Sequence, residues 1–215
     1  MPVPIDPSEP TADPSAGSLL MERRRILSGL GLVGVGCLVA GLSAGASAQE
    51  VVVAIGGKNN KLQVPEEWLR RNRYASTYQR YIDSLRLKSV DSAQVIAAHA
   101  RERNGVWNTL PPRDTWRRMG YVLKVVDRIA KEMKVKNVEI ISAYRSNAYN
   151  ARCYGAKKGS WHKANVAVDV SFANASAWRV TQTSRQLRKL GLFNGGVGGY
   201  RNFTHIDARG YNVDW

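Results

Sequence analysis

The chain of 215 residues holds only three histidines, and two of them stand in company that can do chemistry. The first lies in Ser160-Trp161-His162-Lys163-Ala164-Asn165-Val166-Ala167-Val168-Asp169-Val170. In a strand from Val166 to Phe172, the two-residue period puts Val166, Val168, Val170 and Phe172 on one face. Ala167, Asp169 and Ser171 share the other. The valine face is the core side, so Asp169 points to the opposite surface, and a turn over Lys163-Asn165 can fold the ring of His162 back toward it. The second histidine lies in Tyr200-Arg201-Asn202-Phe203-Thr204-His205-Ile206-Asp207; as a strand, this puts His205 and Asp207 on a common face. Two imidazoles and a carboxylate suit Zn²⁺ with a fourth position left for water. Zinc lowers the pKa of such a water to about 7 and can polarise a carbonyl. His99, in Ala97-Ala98-His99-Ala100, has no carboxylate or second histidine nearby in sequence and is read as a structural residue.

The elements that must carry these residues can be read from pattern. Val51 to Ile55 is strand-like and closed by Gly56-Gly57 and the polar Lys58-Asn59-Asn60-Lys61. From Glu66 to about Leu87, Trp68, Tyr74, Tyr78, Tyr81 and Leu85 recur at three to six residues, which suggests helix. Asp91 or Ser92 is placed to cap a further helix to about Arg103. Pro111-Pro112 stops the chain and opens the clearest helix, with Trp116, Met119, Val122, Leu123, Val126, Ile129, Ala130 and Met133 on one stripe. Val138 to Ser142 reads as a strand, Ser146 to about Tyr154 as a short helix, Ser176 to Leu190 as a helix, and Gly195 to Ala208 as a glycine-rich hairpin. Helices first and short strands after them give an α+β domain, a small antiparallel sheet with flanking helices carrying a mononuclear zinc site.

Five of the eight prolines, Pro2, Pro4, Pro7, Pro10 and Pro14, fall within residues 1–20, too little apolar surface to fold; this stretch is read as disordered or as an over-extended gene start, with Met21 the start. Residues 21–48 then form a targeting signal: Arg23-Arg24-Arg25, an apolar run from Gly29 to about Ala44, and the small-residue site Ala46-Ser47-Ala48. Consecutive arginines before a mild, glycine-rich run resemble a twin-arginine export signal. The run is shorter than the roughly 20 residues a span needs, so cleavage is expected to leave no stable membrane anchor. Cys37 lacks the large aliphatic that a lipid-attachment box places at Gly34. Removing Arg23–Arg25 from 32 basic residues, and Asp6, Glu9, Asp13 and Glu22 from 17 acidic ones, leaves a mature domain near +16. Such a charge suits a polyanion, and export to the periplasm or cell envelope makes an anionic wall a better partner than nucleic acid, for which no binding motif is present. Cys153 is then unpaired and is expected to be a small buried residue.

Ser142-Ala143-Tyr144-Arg145-Ser146, then Ser160-x-His162 to Asp169, then Gly195-Gly196-Val197-Gly198 leading to His205-Ile206-Asp207, resembles the zinc peptidoglycan peptidases. That superfamily includes the D-alanyl-D-alanine carboxypeptidases, the D-Ala-D-Ala dipeptidases and the murein endopeptidase K type, and the resemblance is closest to the last. It covers about Pro111 to Trp215, dividing the mature chain into a basic region, 49–110, and a zinc peptidase domain, 111–215. The resemblance implies His162, Asp169 and His205 as zinc ligands, Arg145 as the arginine that holds substrate or its developing oxyanion, and Ser160 as an aid to the local turn or to substrate. It implies hydrolysis of peptide bonds in peptidoglycan stems or crosslinks; endopeptidase and carboxypeptidase action both fit.

Two positions depart from the family. Asn165 stands where relatives have glycine, and a left-handed backbone there is one asparagine tolerates. Asn202 stands where several relatives carry the acidic general base, three residues before the last ligand. Asp207 is the nearby carboxylate that strand geometry aims at the metal side, either as general base or as the partner that orients a ligand histidine. A zinc-binding protein that has lost catalysis and keeps peptidoglycan binding is the alternative that Asn202 supports. His205-x-Asp207 with a further histidine also resembles the triad of non-haem iron oxygenases. There, however, the second histidine follows the His-x-Asp, and none follows here.

Overall fold

The computed structural model describes residues 52–56 and 61–215. The expected disordered start, the export signal with its cleavage site, and Cys37 lie outside the described residues. No helix among the described residues is long and apolar enough to cross a membrane.

The chain opens with the antiparallel pair β1 (Val52–Gly56) and β2 (Lys61–Pro65). The pattern from Glu66 to Leu87 forms two helices, α1 (Glu66–Arg71) and α2 (Ala75–Ser84), divided at Asn72. The Asn72 side chain donates to the Trp68 carbonyl and accepts from the Leu110 amide, which draws the chain out of helical register. Helix α3 (Ser92–His99) starts at the cap Asp91, whose carboxylate accepts from the Ala93 amide. It stops at His99, short of the expected Arg103, because the chain turns into the small hairpin β3 (Glu102–Arg103) and β4 (Val106–Trp107).

Past Pro111-Pro112, a 3-10 turn (Arg113–Thr115) leads into α4 (Trp116–Glu132). Its stripe, Met119, Val122, Leu123, Val126, Ile129 and Ala130, is buried as the periodicity predicts. Strand β5 (Val138–Ser142) is followed by α5 (Asn147–Asn150), a single turn capped by the Ser146 hydroxyl, and by a 3-10 helix over Trp161–Ala164. Then come β6 (Ala167–Phe172), α6 (Ala177–Lys189) capped by Ser176, β7 (Gly196–Gly199), β8 (Thr204–Asp207) and β9 (Val213–Asp214).

The five strands of the main sheet run in the order β5-β6-β8-β7-β9. All pairs are antiparallel except β7 with β9, which is parallel and departs from the all-antiparallel expectation. Val168, Val170, Phe172, Val197 and Ile206 face the core, where α4 and α6 cover the sheet. Trp68, Tyr78, Ile82, Val95 and Ile96 from the N-terminal region belong to that same core. The uncovered face presents the alternate residues. Pairing sets Ser142 opposite Asp169, Asp169 opposite His205, and His205 opposite Gly198, one row across four strands that ends on a glycine. Between Ile140 and Ser142 the β5–β6 register slips by a bulge, a device that re-aims side chains beside functional sites.

Candidate metal centre and cavity

Asp169 and His205 meet in this row because their strands pair there, and His162 joins them from the 3-10 helix that leads into β6. The return of the chain depends on Asn165, which adopts φ 58° and ψ 36°, the left-handed conformation expected of it. Its buried side chain donates to the Thr115 carbonyl and to Thr115 Oγ1, both at 3.1 Å, which ties the turn to the start of α4.

His162, Asp169 and His205 are all buried, with candidate ligand atoms within 4.8 Å of one another. Asp169 Oδ1 lies 3.3 Å from His162 Nε2 and 2.8 Å from His205 Nδ1. The second nitrogen of each ring is also engaged. His162 Nδ1 is 2.7 Å from the Ala143 carbonyl, which can only accept, so Nδ1 carries the proton and Nε2 offers its lone pair. His205 lies between two carboxylates, with Nδ1 2.8 Å from Asp169 Oδ1 and Nε2 3.0 Å from Asp207 Oδ2; a metal held at Nδ1 would leave Nε2 to donate to Asp207. His162 Nε2 and His205 Nδ1 therefore converge on Asp169 Oδ1. This is the arrangement by which outer partners orient metal-binding imidazoles.

The electrostatics fit a cation. Burial pushes the Asp169 carboxyl up, but His162, His205 and Arg145 together outweigh it and hold the group well below the usual carboxylate range. Burial, with Arg145 beside it, pushes His162 down and keeps its ring neutral. Burial also opposes charge on His205, yet its hydrogen bonds to Asp169 and Asp207 prevail and raise it. Asp169 is thus kept in the anionic form that binds a metal, and a metal held at His205 Nδ1 would stand where a proton otherwise could.

Arg145, just past β5, donates from Nη2 to Asp169 Oδ2 at 2.8 Å and from Nε to Ser142 Oγ at 2.9 Å. Its guanidinium is thus one carboxylate away from the ligand atoms, on the wall of a cavity of about 530 Å³. Ser160 lies on the same wall, at the head of the 3-10 helix that carries His162. Asp207 is wholly buried and does not line the cavity. Its Oδ1 accepts from the Gly196 amide and from Arg209 N and Nε, and its Oδ2 from Arg209 Nη2 and His205 Nε2. Asn202 is exposed in the loop between β7 and β8.

His99 sits apart from the triad. It is completely buried on α3, with Nδ1 2.6 Å from the Val95 carbonyl and its ring edge-on to Tyr78. Cys153 is half-buried, short of the burial expected of it, and its thiol donates to the Tyr149 carbonyl at 3.4 Å.

Sequence reasoning missed several parts of this site. Ala98, Arg101 and Arg103 bring the N-terminal region to the cavity wall, and Trp215 lines it next to His205, ring centroids 5.3 Å apart. Arg209 lines it too. Its place only two residues beyond Asp207 was the available signal, since a short acid–base spacing in a turn favours a local pair. The Ala143 carbonyl left no signal at all, because any residue supplies one.

A family model described as Peptidase M15 matches residues 92–207, more than half of the chain. No curated protein and no solved structure matches.

Proposed function

The chain belongs to the peptidase M15 family, and we propose that it is an exported zinc metallopeptidase that hydrolyses peptide bonds in the stems or crosslinks of peptidoglycan. The convergence of His162 Nε2, Asp169 Oδ1 and His205 Nδ1, with both outer ring nitrogens committed elsewhere, carries this reading. Zinc, when bound, supplies Lewis acidity that activates water and polarises the scissile carbonyl.

The chain's own residues do the rest. Arg145 presents a permanent charge and a fixed fork of donors at the cavity wall, suited to a substrate carbonyl oxygen as it gains negative charge. Ser160 steadies the turn that carries His162 and offers a hydroxyl to substrate. Asp207 fixes the tautomer and aim of His205; with its oxygens taken by Arg209, Gly196 and His205, the orienting role suits it better than that of general base. The cavity accommodates a short peptide, and Tyr154, Trp161, Tyr200 and Phe203 give it apolar walls. Exposed cations along α4, among them Arg117, Lys124, Arg128 and Lys131, suit approach to an anionic wall. Within the family, the motif residues favour the murein endopeptidase K branch.

A second reading, a zinc-containing peptidoglycan-binding protein without turnover, draws on the exposed amide of Asn202 where relatives carry a carboxylate. The test is to incubate protein from Gln49 onward with peptidoglycan and defined crosslinked muropeptides, with and without chelator, and read products by mass spectrometry. Chelator-sensitive cleavage that vanishes in His162→Ala is expected. Binding of muropeptides and one zinc with no cleavage would replace the peptidase by the scaffold reading.

A further inference from the structure

The glycine run Gly195-Gly196-Val197-Gly198-Gly199 opens the glycine-rich hairpin expected from sequence, and the structure shows what lies against it. On the face of β7 that looks toward the site, a Cβ at Gly196 would lie 2.5 Å from Asp207 Oδ2 and 2.7 Å from Arg209 Nη2. One at Gly198 would lie 2.5 Å from the Trp215 indole. Real side chains do not pack that closely, so β7 is bare where Asp207, Arg209 and Trp215 lie across it.

Arg209 is the centre of this assembly. Its Nε and Nη2 meet the two oxygens of Asp207 at 2.8 and 2.5 Å, the two-pronged geometry that fixes a carboxylate in orientation as well as position. Its guanidinium carbon lies 5.1 Å from the ring centroid of Trp161 and 5.1 Å from that of Trp215, with Tyr211 at 5.7 Å. Trp215 is itself held, through Nε1 to Tyr200 Oη at 2.9 Å. Asp207 in turn accepts from His205 Nε2. The geometry points to Arg209 as a positioning residue for the metal centre, acting through Asp207 to hold His205 with its Nδ1 lone pair aimed at the triad.

This inference rests on the metal-site reading above. Lysine would supply the charge without the fork, and methionine about the volume without either. Removing Arg209 leaves a buried carboxylate with fewer donors, free to turn or to take a proton from elsewhere, and His205 loses its fixed aim.

The experiment measures Zn²⁺ affinity of the folded protein by competition with a chromophoric chelator, for wild type, Arg209→Met, Arg209→Lys, Asp207→Asn and the Arg209→Met/Asp207→Asn double variant. Arg209→Met should weaken zinc binding by about 10- to 100-fold, the usual effect of losing an outer partner, and Arg209→Lys by less. Asp207→Asn keeps an acceptor for His205 Nε2 that needs no cation, so adding Arg209→Met to it should cost less than about threefold, a non-additive cycle. Arg188→Gln is the control. Arg188 is a buried arginine that clamps Gly195, Val213 and Asp214. Its loss should lower the urea midpoint and leave zinc affinity within about twofold. Should Arg209→Met not fold, Arg209→Lys carries the same comparison. Zinc affinity unchanged in the Arg209 variants, or additive effects in the cycle, would overturn the inference alone. Failure of the wild type to bind zinc would overturn the metal-site reading and this inference with it.

Discussion

His99 makes the protein sensitive to mild acid, and the size of the effect can be worked from its surroundings. The ring is completely buried between Tyr78 and Tyr144, its Nδ1 is committed to the Val95 carbonyl, and Nε2 has no partner. Burial is the main cause that lowers its pKa from 6.5 to about 4, with the charge of Arg101 adding to it and the Val95 hydrogen bond opposing it. The unfolded chain therefore binds a proton between pH 6.5 and 4 that the folded chain refuses. Stability is full above the unfolded value and falls as pH drops through this window. At 1.36 kcal/mol per unit, the loss is about 2 kcal/mol at pH 5 and reaches about 3 kcal/mol below pH 4. Against total stabilities of about 5–15 kcal/mol this is a large share. Urea unfolding of wild type and His99→Gln at pH 7.5 and pH 5 isolates it, because every other titrating group is common to both. With a urea slope of about 2 kcal/mol/M, the wild-type midpoint should fall by about 1 M more than that of the variant. Parallel losses in the two proteins would refute the reasoning.

Asn165→Ala should cost about 2–4 kcal/mol, combining roughly 1–2 for a left-handed backbone with the loss of both bonds to Thr115. Asn165→Gly should be the milder change in urea unfolding, and an alanine variant as stable as the glycine one would contradict the conformational argument. Gly198→Ala should displace the Trp215 ring and cost about 1–3 kcal/mol, with altered tryptophan fluorescence; an unchanged spectrum would show that the indole is not packed on β7. Arg145→Lys should lower kcat/KM on muropeptides by roughly 100-fold, as loss of an oriented donor does, while zinc content stays the same. Equal activity would remove Arg145 from the substrate site.

Sequence made the strands and helices legible wherever a local period or cap existed. The α4 stripe, the Asp91 cap and the start of α6 beside Ser176 lie where the pattern puts them, and β6 starts one residue later than expected, at Ala167, whereas the helix expected from Ser146 to about Tyr154 is the single turn Asn147–Asn150. Elements without a period did not show. Strand β2 carries Lys61 and Gln63 and exists because β1 pairs with it. The two-residue strands β3, β4 and β9 are too short to have a pattern, and the parallel course of β9 follows from Arg188 and Asp214 holding it against β7. The break between α1 and α2 comes from the Asn72 side chain reaching Leu110, a contact 38 residues away.

The same division holds at the site. Spacing brought out His162, Asp169 and His205 because two-residue alternation and a turn are local. The partners that decide which imidazole nitrogen faces inward are the Ala143 carbonyl and the Asp207–Arg209 pair. The first is backbone, and the second has meaning only once β7 is seen to be bare beside it. The contribution of Ala98, Arg101 and Arg103 to the cavity depends on how α3 and its hairpin pack against the sheet, which no local pattern encodes.

The central claim is that three named atoms hold a zinc ion. It is tested most directly by an anomalous difference map at the zinc edge from crystals of the zinc-loaded protein. The account predicts one peak at about 2.0–2.2 Å from His162 Nε2, Asp169 Oδ1 and His205 Nδ1, with His205 Nε2 still on Asp207. No peak there, or a peak bound through His205 Nε2, would contradict it.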